Sequence, residues 1–269
     1  MTLALEDRHR IGGYREWAPK GALTRYCEAV WHYEAGLAAP PHRLLADNKP
    51  SLIFYYSSDG SGRAHDCRIV VSGNLSHSAW FRPRPGDWQI GIRLFPELSA
   101  ECIGICPHEY LNKSGPPPKR ILDYFLPLTD ILSRLPPQAA GSVLADHFLR
   151  CVRETEVRNE HWAAALIRKA DGRVPVSEIA SKLDSSERQL RRRFESVMGL
   201  TPKAYSRIIR HLNVIRLSDR LTTPDWADIA LRSGYCDQSH MIRDIGDLTG
   251  VSPARLHAER RSESEISNT

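Results

Sequence analysis

The spacing of apolar residues divides the chain into a β-leaning first part and a helical second part. Short apolar runs at 51–56, 67–71 and 88–95 are rich in Ile, Val, Phe and Tyr, and clusters of Gly, Ser, Asp and Pro separate them. Short strands punctuated by turn residues predict a small β-barrel or sandwich with a few helices.

A helical spacing begins after the proline-rich segment 115–118. Leu144, Phe148 and Cys151 recur at intervals of four and three, which predicts an amphipathic helix over 141–158. We therefore expect an α+β chain. It would comprise a β-rich effector-binding or dimerisation domain at 1–160 that ends in this helix, an all-α domain at 161–261, and a disordered tail at 262–269.

The helical part contains an internal duplication. The sequence GLTP at 199–202 recurs as GVSP at 250–253, a displacement of 51 residues, and EIA at 178–180 is answered by DIA at 228–230. A repeat at a nearly constant displacement, 51 residues for the first pair and 50 for the second, indicates two copies of one supersecondary unit.

The first unit has the pattern of a helix-turn-helix. Ser186 followed by Gln189 is a capping-box sequence, which predicts the start of a helix. Leu190, Phe194 and Val197 then recur at spacings of four and three, so we expect them to face the core.

The opposite face of this second helix is basic. Arg188, Arg191 and Arg192 are the candidates for reading bases, because a guanidinium donates two parallel hydrogen bonds to guanine. Arg193 lies nearer the buried flank and is a candidate phosphate contact. The alternative is that these arginines are simply solvated side chains of a good helix former.

In the second unit, we expect Thr223 to cap a helix that begins at Pro224 and Asp237 to cap the next helix. The stripe of Met241, Ile245 and Leu248 should be buried.

The outward face of this helix presents Ser239, His240 and Arg243, and we expect Asp244 and Asp247 to repel phosphate. Segment 202–221 is predicted to be one long helix that holds the two units at a constant separation, about 34 Å if each enters a successive major groove.

The segment from 173 to 261 resembles the DNA-binding domain of AraC/XylS-type transcriptional regulators, on the motifs named above together with Gly234-Tyr235 and DQSH at 237–240. Ile245 and Leu256 stand where that family usually has phenylalanine and tyrosine. The resemblance implies double-stranded operator DNA, RNA polymerase and a second copy of the chain as partners, and a cupin-like N-terminal domain. The predicted DNA-binding residues are Arg188, Gln189, Arg191, Arg192, Arg193, Gln238, Ser239, His240 and Arg243.

Composition sets wider bounds. The formal net charge of +5 permits nucleic-acid binding without requiring it. The chain has no apolar run long enough to cross a bilayer and no signal-peptide order at its N-terminus, so we expect a cytoplasmic protein with reduced cysteines and no membrane partner.

Arginines near the predicted strands suggest a small anionic effector, because guanidiniums grip phosphate and carboxylate groups. Asn74 and Ser76 are similar to part of the Asn/Asp-x-Ser-x-x-Gly element of PilZ-type receptors, although Ala79 replaces the glycine, so one hypothesis is a cyclic dinucleotide such as c-di-GMP. Solvated edge charges are the alternative. The candidate effector residues are Arg63, Arg68, Asn74, Ser76, Arg82, Arg84 and Arg93.

Two further classes of function compete with the regulator. A cupin-type metal enzyme could draw on His32, His42, His65 and His77, but these lack the close spacing of metal ligands, so we expect no catalysis, no metal and no cofactor. An effector-independent interaction protein with a helical docking domain would bind DNA without sequence preference.

Overall fold

The computed structural model describes residues 5–11, 13–36, 40–58, 64–105, 109–152 and 159–266. It is an α+β structure, as the sequence predicts, with a β-rich N-terminal region and a helical C-terminal region. The strands are β1 (Glu6–Ile11), β2 (Tyr14–Ala18), β3 (Cys27–Glu34), β4 (His42–Leu44), β5 (Ser51–Ser58), β6 (Ala64–Ser72), β7 (Ala79–Phe81), β8 (Trp88–Leu94) and β9 (Ser114–Gly115).

The β-rich region is confirmed, but the main sheet is open and does not close into the barrel that was one of the two predicted forms. Its strands lie in the order β1-β2-β3-β8-β5-β6-β9 with antiparallel pairing, and β4 pairs separately with β7. Strands β1 and β9 occupy opposite edges of the sheet. Strand β9 has only two residues and pairs with β6.

Residues alternate between the two faces of this sheet. Leu52, Phe54, Ile90 and Ile92 are fully buried on the back face, where helices cover them. Their neighbours point to the front face, which is more polar and aromatic. The back face therefore supplies the core of the β-rich region, and the front face is not covered by these helices.

The helices are α1 (Ser99–Ile103), α2 (Lys119–Phe125), α3 (Thr129–Ser133), α4 (Pro137–Cys151), α5 (Asn159–Lys169), α6 (Val176–Lys182), α7 (Glu187–Met198), α8 (Pro202–Ser218), α9 (Trp226–Arg232), α10 (Gln238–Thr249) and α11 (Pro253–Ile266). Helix α4 begins four residues earlier than its apolar spacing predicts, because Pro137 suits a first helical turn. Helix α11 continues into the segment 262–269 that we expected to be disordered.

Helix α4 buries its apolar stripe within its own domain. Leu144 and Phe148 are fully buried, and the helix packs against β3 and β8. Residues 153–158 of the predicted helix lie outside the described residues.

The duplicated GLTP and GVSP sequences are helix stops followed by helix starts. Gly199 (φ 69°) and Gly250 (φ 76°) end α7 and α10 in the left-handed conformation that glycine adopts without strain. Thr201 Oγ1 then accepts from Ala204 N at 3.0 Å, and Ser252 Oγ accepts from Arg255 N at 3.3 Å. The repeated sequence therefore reflects the same backbone arrangement at two places, a left-handed glycine that ends one helix and a hydroxyl that caps the next.

One predicted cap is wrong. Asp225, not Thr223, caps α9, and its Oδ1 accepts from Ala227 N at 3.0 Å and Asp228 N at 3.2 Å. The carboxylate at position 225 satisfies two free amides of the first turn, and Pro224 therefore lies before the helix and not at its first position. In the described part of the chain, no helix is long and apolar enough to cross a membrane.

Candidate nucleic-acid interface and ligand cavity

The first reader, α6 with α7, is a helix-turn-helix with its own core. Ser186 Oγ accepts from Gln189 N at 3.3 Å, and Gln189 Oε1 accepts from Ser186 N at 3.3 Å, so the predicted capping box is confirmed. Leu190 and Phe194 are buried as predicted, and Met198 continues their stripe. Val197 is only half-buried.

The basic face of α7 is exposed. Arg188, Arg191, Arg192 and Arg193 are all open to solvent. Arg191 pairs with Glu195 at 3.3 Å. Within the described ranges, Arg188 and Arg192 form no ion pair, so their guanidiniums are the freer donors on this helix.

Gln189 lies on the same turn, but its side-chain oxygen is occupied by the cap. It therefore stabilises the start of α7, and only its amide nitrogen remains for a base. Of the predicted contacts in the first reader, Arg188 and Arg192 are the best placed.

The second reader, α9 with α10, has the same layout. Gly234 (φ 81°) makes the turn, and Asp237 Oδ1 accepts from His240 N at 2.7 Å to cap α10. The predicted stripe of Met241, Ile245 and Leu248 is buried.

The outward face of α10 differs from that of α7. Gln238, Ser239 and Arg243 are exposed, whereas His240 is half-buried with its ring edge-on to Tyr235, 5.3 Å between centroids. This contact orients the imidazole at the helix start. We infer that His240 supports the reader more than it reads bases.

One of the two acidic residues of α10, Asp244, lies differently from our expectation. Asp244 is buried, where it accepts from Arg207 Nε at 2.5 Å and from the Tyr235 hydroxyl at 3.0 Å. Asp247 is 3.4 Å from the same guanidinium. Because Arg207 on α8 neutralises Asp244, this carboxylate anchors the second reader instead of repelling phosphate.

Helix α8 connects the two readers. Its 17 residues span about 25 Å. Tyr205 belongs to the core of the first reader, while Val214 and Ile215 belong to the core of the second. One continuous helix thus takes part in both cores, which supports the predicted rigid spacing.

A cavity of about 600 Å³ opens on the front face of the main sheet. Six aromatic rings surround it: Tyr14, Trp31, Tyr33, His42, Tyr55 and Phe81. Tyr33, His42 and Phe81 pack edge-on against one another, with centroids 5.2 to 6.0 Å apart. The cavity is therefore walled largely by flat apolar surfaces.

Charged groups border this cavity. Arg93 donates to Glu16 at 2.6 Å and to the Tyr14 hydroxyl at 2.8 Å. Burial raises the pKa of Asp47 to about 6, although Lys49 and Arg93 lower it. Lys113 is exposed at the rim and forms no ion pair with the described residues.

The predicted effector residues do not converge on one site. Arg68 and Arg93 line the cavity, and Arg68 lies over the Tyr55 ring at 4.9 Å. Arg82 and Arg84 are exposed elsewhere, and Arg63 lies outside the described residues.

Asn74 and Ser76 serve other contacts. Asn74 is buried, and its Nδ2 donates to Met198 O at 2.8 Å, while Ser76 N donates to Asn112 Oδ1 at 2.8 Å. The element that suggested a cyclic dinucleotide is therefore part of a contact between the two regions of the chain.

The sequence analysis did not predict the aromatic wall of the cavity. Its signal was the alternation of rings along strands, such as Trp31 and Tyr33 two positions apart on β3.

The β-rich region contacts the ends of both reader helices, and we call this contact the seam. Arg43 Nη1 donates to Thr249 O at 2.7 Å, and Ser78 N donates to Leu248 O at 2.8 Å. Asn74 reaches Met198 at the end of α7. The exposed N-terminal halves of both reader helices remain uncovered.

Two further contacts complete the seam. Arg168 on α5 pairs with the buried Glu97 at 2.5 Å and donates to the Tyr205 hydroxyl at 3.1 Å. Ala46 packs with Leu200, Ile208 and Leu248. Among the described residues, no group of three or more His, Cys, Asp or Glu is placed to hold a metal ion.

Comparison with known families assigns the helical part. A family model described as "Helix-turn-helix domain" matches residues 179–259, and one described as "Domain of unknown function (DUF6597)" matches residues 15–116. A comparison with curated proteins found no match.

A comparison with solved structures also found matches. The C-terminal domain of AraT, a response regulator from Geobacillus stearothermophilus, is 22% identical over 40% of this chain and 88% of its own, with a TM-score of 0.36. ToxT from Vibrio cholerae is 10% identical over 85% of this chain and 96% of its own, with a TM-score of 0.45.

Proposed function

We propose that this chain, whose C-terminal part is an AraC-type double helix-turn-helix domain, is a sequence-specific transcriptional regulator controlled by a small anionic effector. The observation that carries base reading is the pair Arg188 and Arg192, which are exposed on α7 and form no ion pair with the described residues. Their guanidiniums suit guanine O6 and N7 in the major groove.

The test is selection of binding sites from random double-stranded DNA with the full chain, followed by titration of Arg192→Ala on the selected site at constant salt. Loss of discrimination at one base position supports base reading. A uniform loss on all DNA would make Arg192 a phosphate contact. Failure to select any sequence would favour the helical docking protein instead. Arg134→Ala, an exposed arginine in the β-rich region, is the matched control.

We propose that the cavity on the front face binds the effector, and that the effector is an aromatic monocarboxylate. Six rings offer stacking surfaces, while Arg68 and Lys113 offer cations at the rim. The PilZ-like element does not support a cyclic dinucleotide, because Asn74 is engaged by Met198 O.

Binding is tested by calorimetry of the full chain against a series of aromatic carboxylates and their uncharged amides. Carboxylates should bind more tightly than the amides, and Lys113→Ala or Arg68→Ala should narrow that difference. Lys119→Ala, an exposed lysine outside the cavity, should not. Equal affinity for acid and amide would refute the anionic class.

The link from cavity to DNA rests on shared elements. Leu44 and Leu45 border the cavity, while Arg43 and Ala46 on either side of them belong to the seam. A ligand that shifts this segment changes the hold on the ends of α7 and α10. The effector would then control DNA binding by changing the fraction of molecules in which α7 and α10 are oriented to bind DNA.

We further propose that the protein acts by binding and not by catalysis, in the cytoplasm, as a homodimer on adjacent half-sites. Two linked readers per chain raise the effective concentration of each for its subsite, and a dimer extends this. Mass measurement of the complex with a selected operator tests the stoichiometry. Contact with RNA polymerase stays a prediction.

A further inference from the structure

Ile242 is an isoleucine on the outward face of α10 that the protein does not bury. Its exposed fraction is 40%, whereas the neighbouring Met241 and Ile245 are fully buried in the core. It stands at the position that Arg191 occupies in α7, 51 residues earlier. The second reader thus presents a branched hydrocarbon where the first presents a cation.

The residues around Ile242 indicate which kind of group packs on it. Gln238 and Ser239, four and three positions earlier, share its face of the helix, and Arg243 follows it; all three are exposed. The seam holds the opposite end of α10, at Leu248 and Thr249, and leaves this face open. Hydrogen-bonding groups around one apolar side chain on a reader helix match the edge of a base pair.

Thymine is the base whose major-groove edge carries a methyl group, and apolar side chains recognise that methyl by contact. Arginine instead selects guanine, because guanine offers two acceptors. We propose that Ile242 is a specificity-determining residue that packs on the C5-methyl of a thymine, so that the two readers demand different bases. This inference rests on the proposed DNA-binding function.

The experiment replaces thymines of a selected operator by uracil, one at a time, and titrates each duplex with the full chain. Uracil pairs as thymine does but lacks the methyl group. At one thymine under the second reader, we expect about a four-fold loss of affinity, which is what burial of a single methyl group supplies. Thymines under the first reader should change affinity less than two-fold, roughly, since arginine contacts do not use the methyl.

Ile242→Ala should bind the thymine and uracil duplexes equally, and Ile242→Val should retain part of the preference. The matched control is Leu231→Ala, which removes a more exposed leucine (65%) from α9 of the same reader and should leave the preference intact.

The wild-type scan alone can overturn the inference, because it needs no folded variant. If uracil is tolerated at every thymine beneath the second reader, Ile242 reads no methyl group, although the operator is still selected. An Ile242→Ala protein with an unchanged thymine preference, or with a change only in oligomeric state, would also overturn it. Failure to select any operator would instead contradict the proposed function itself.

Discussion

The two readers share a scaffold and differ on their outward faces. Both end in a left-handed glycine, and both bury an apolar stripe: Leu190 and Phe194 in α7, Met241 and Ile245 in α10. Packing determines which residue types fit at the inward positions, so the two copies still resemble each other at these positions. The outward positions carry no packing constraint, so one face became basic and the other mixed.

The readers also differ in how they are held. Asp244 of α10 is bound by Arg207 of α8, and Arg43 contacts Thr249 at the end of α10 and Glu259 on α11. The end of α7 is held from the β-rich region by Asn74. The second reader has fewer cations and more anchors, which suggests that it provides orientation while the first provides charge.

The largest expected effect comes from the cores that make the readers separate units. Phe194→Ala should cost about 3–5 kcal/mol of unfolding free energy, because Phe194 is fully buried. Ile245→Ala should cost about 2–5 kcal/mol in the second core. Urea unfolding measures the loss, and hydrogen exchange locates it. If both variants expose the same amides, the two cores unfold as one unit and the comparison fails.

The next effect separates charge from orientation. Arg188→Ala with Arg192→Ala should weaken binding to the selected operator by roughly 100-fold, since each arginine can supply about 1–3 kcal/mol of discrimination. Arg243→Ala should cost roughly ten-fold. Fluorescence anisotropy at constant salt measures both, with Arg134→Ala as the control. An equal loss from the two readers would remove the asymmetry.

A smaller effect concerns helix α8, which joins the readers. Burial lowers the pKa of His211 to about 4 from its ordinary value of 6.5, with Asp244 opposing and Arg260 adding to the shift. Because the folded pKa lies below the unfolded one, His211 supports stability above pH 6.5. That support falls as the pH drops from 6.5 towards 4, by about 2 kcal/mol at pH 5.

His32 shifts in the same direction, so the whole chain is a poor measure of His211 alone. The check is therefore the difference in urea midpoints between wild type and His211→Leu across this range. The variant should gain relative to wild type as the pH falls. A constant difference would mean that His211 is solvated in the folded protein.

The smallest effect distinguishes a cap from a base contact. Gln189→Ala should lower stability by about 0.5–1 kcal/mol through loss of the capping box, with no change in base preference. Gln238, exposed at the corresponding start of α10, has no such cap role, so Gln238→Ala should act on DNA binding alone. Thermal unfolding and binding-site selection separate the two. A changed base preference of the Gln189→Ala variant would instead show that Gln189 contacts a base.

Local patterns predicted the helical part well. The stripes of α7 and α10, the Ser186 cap and the turn at Gly199 each depend on residues a few positions apart, so their signals are contained in short windows. The cap of α9 was misassigned by two residues because Thr223, Pro224 and Asp225 all favour a helix start.

Contacts between distant parts of the chain were not predictable in this way. Asn74 and Met198 are 124 positions apart, and neither residue type indicates the other. Asp244 was expected to face solvent because its partner Arg207 lies on another helix. The open sheet likewise depends on which strands pair with one another, which alternation along one strand does not encode. The cavity wall combines rings from several strands, so no single segment revealed it.

The seam has an electrostatic consequence for DNA binding. Aligned peptide dipoles leave a helix with partial negative charge at its C-terminal end and partial positive charge at its N-terminal end. The Arg43 guanidinium and the Asn74 amide complement the negative ends of α10 and α7, so the β-rich region satisfies terminal carbonyls that the reader domain leaves open. The positive N-terminal ends of α7 and α10 remain exposed to solvent. A helical domain separated from the β-rich region would therefore lose these terminal hydrogen bonds to α7 and α10.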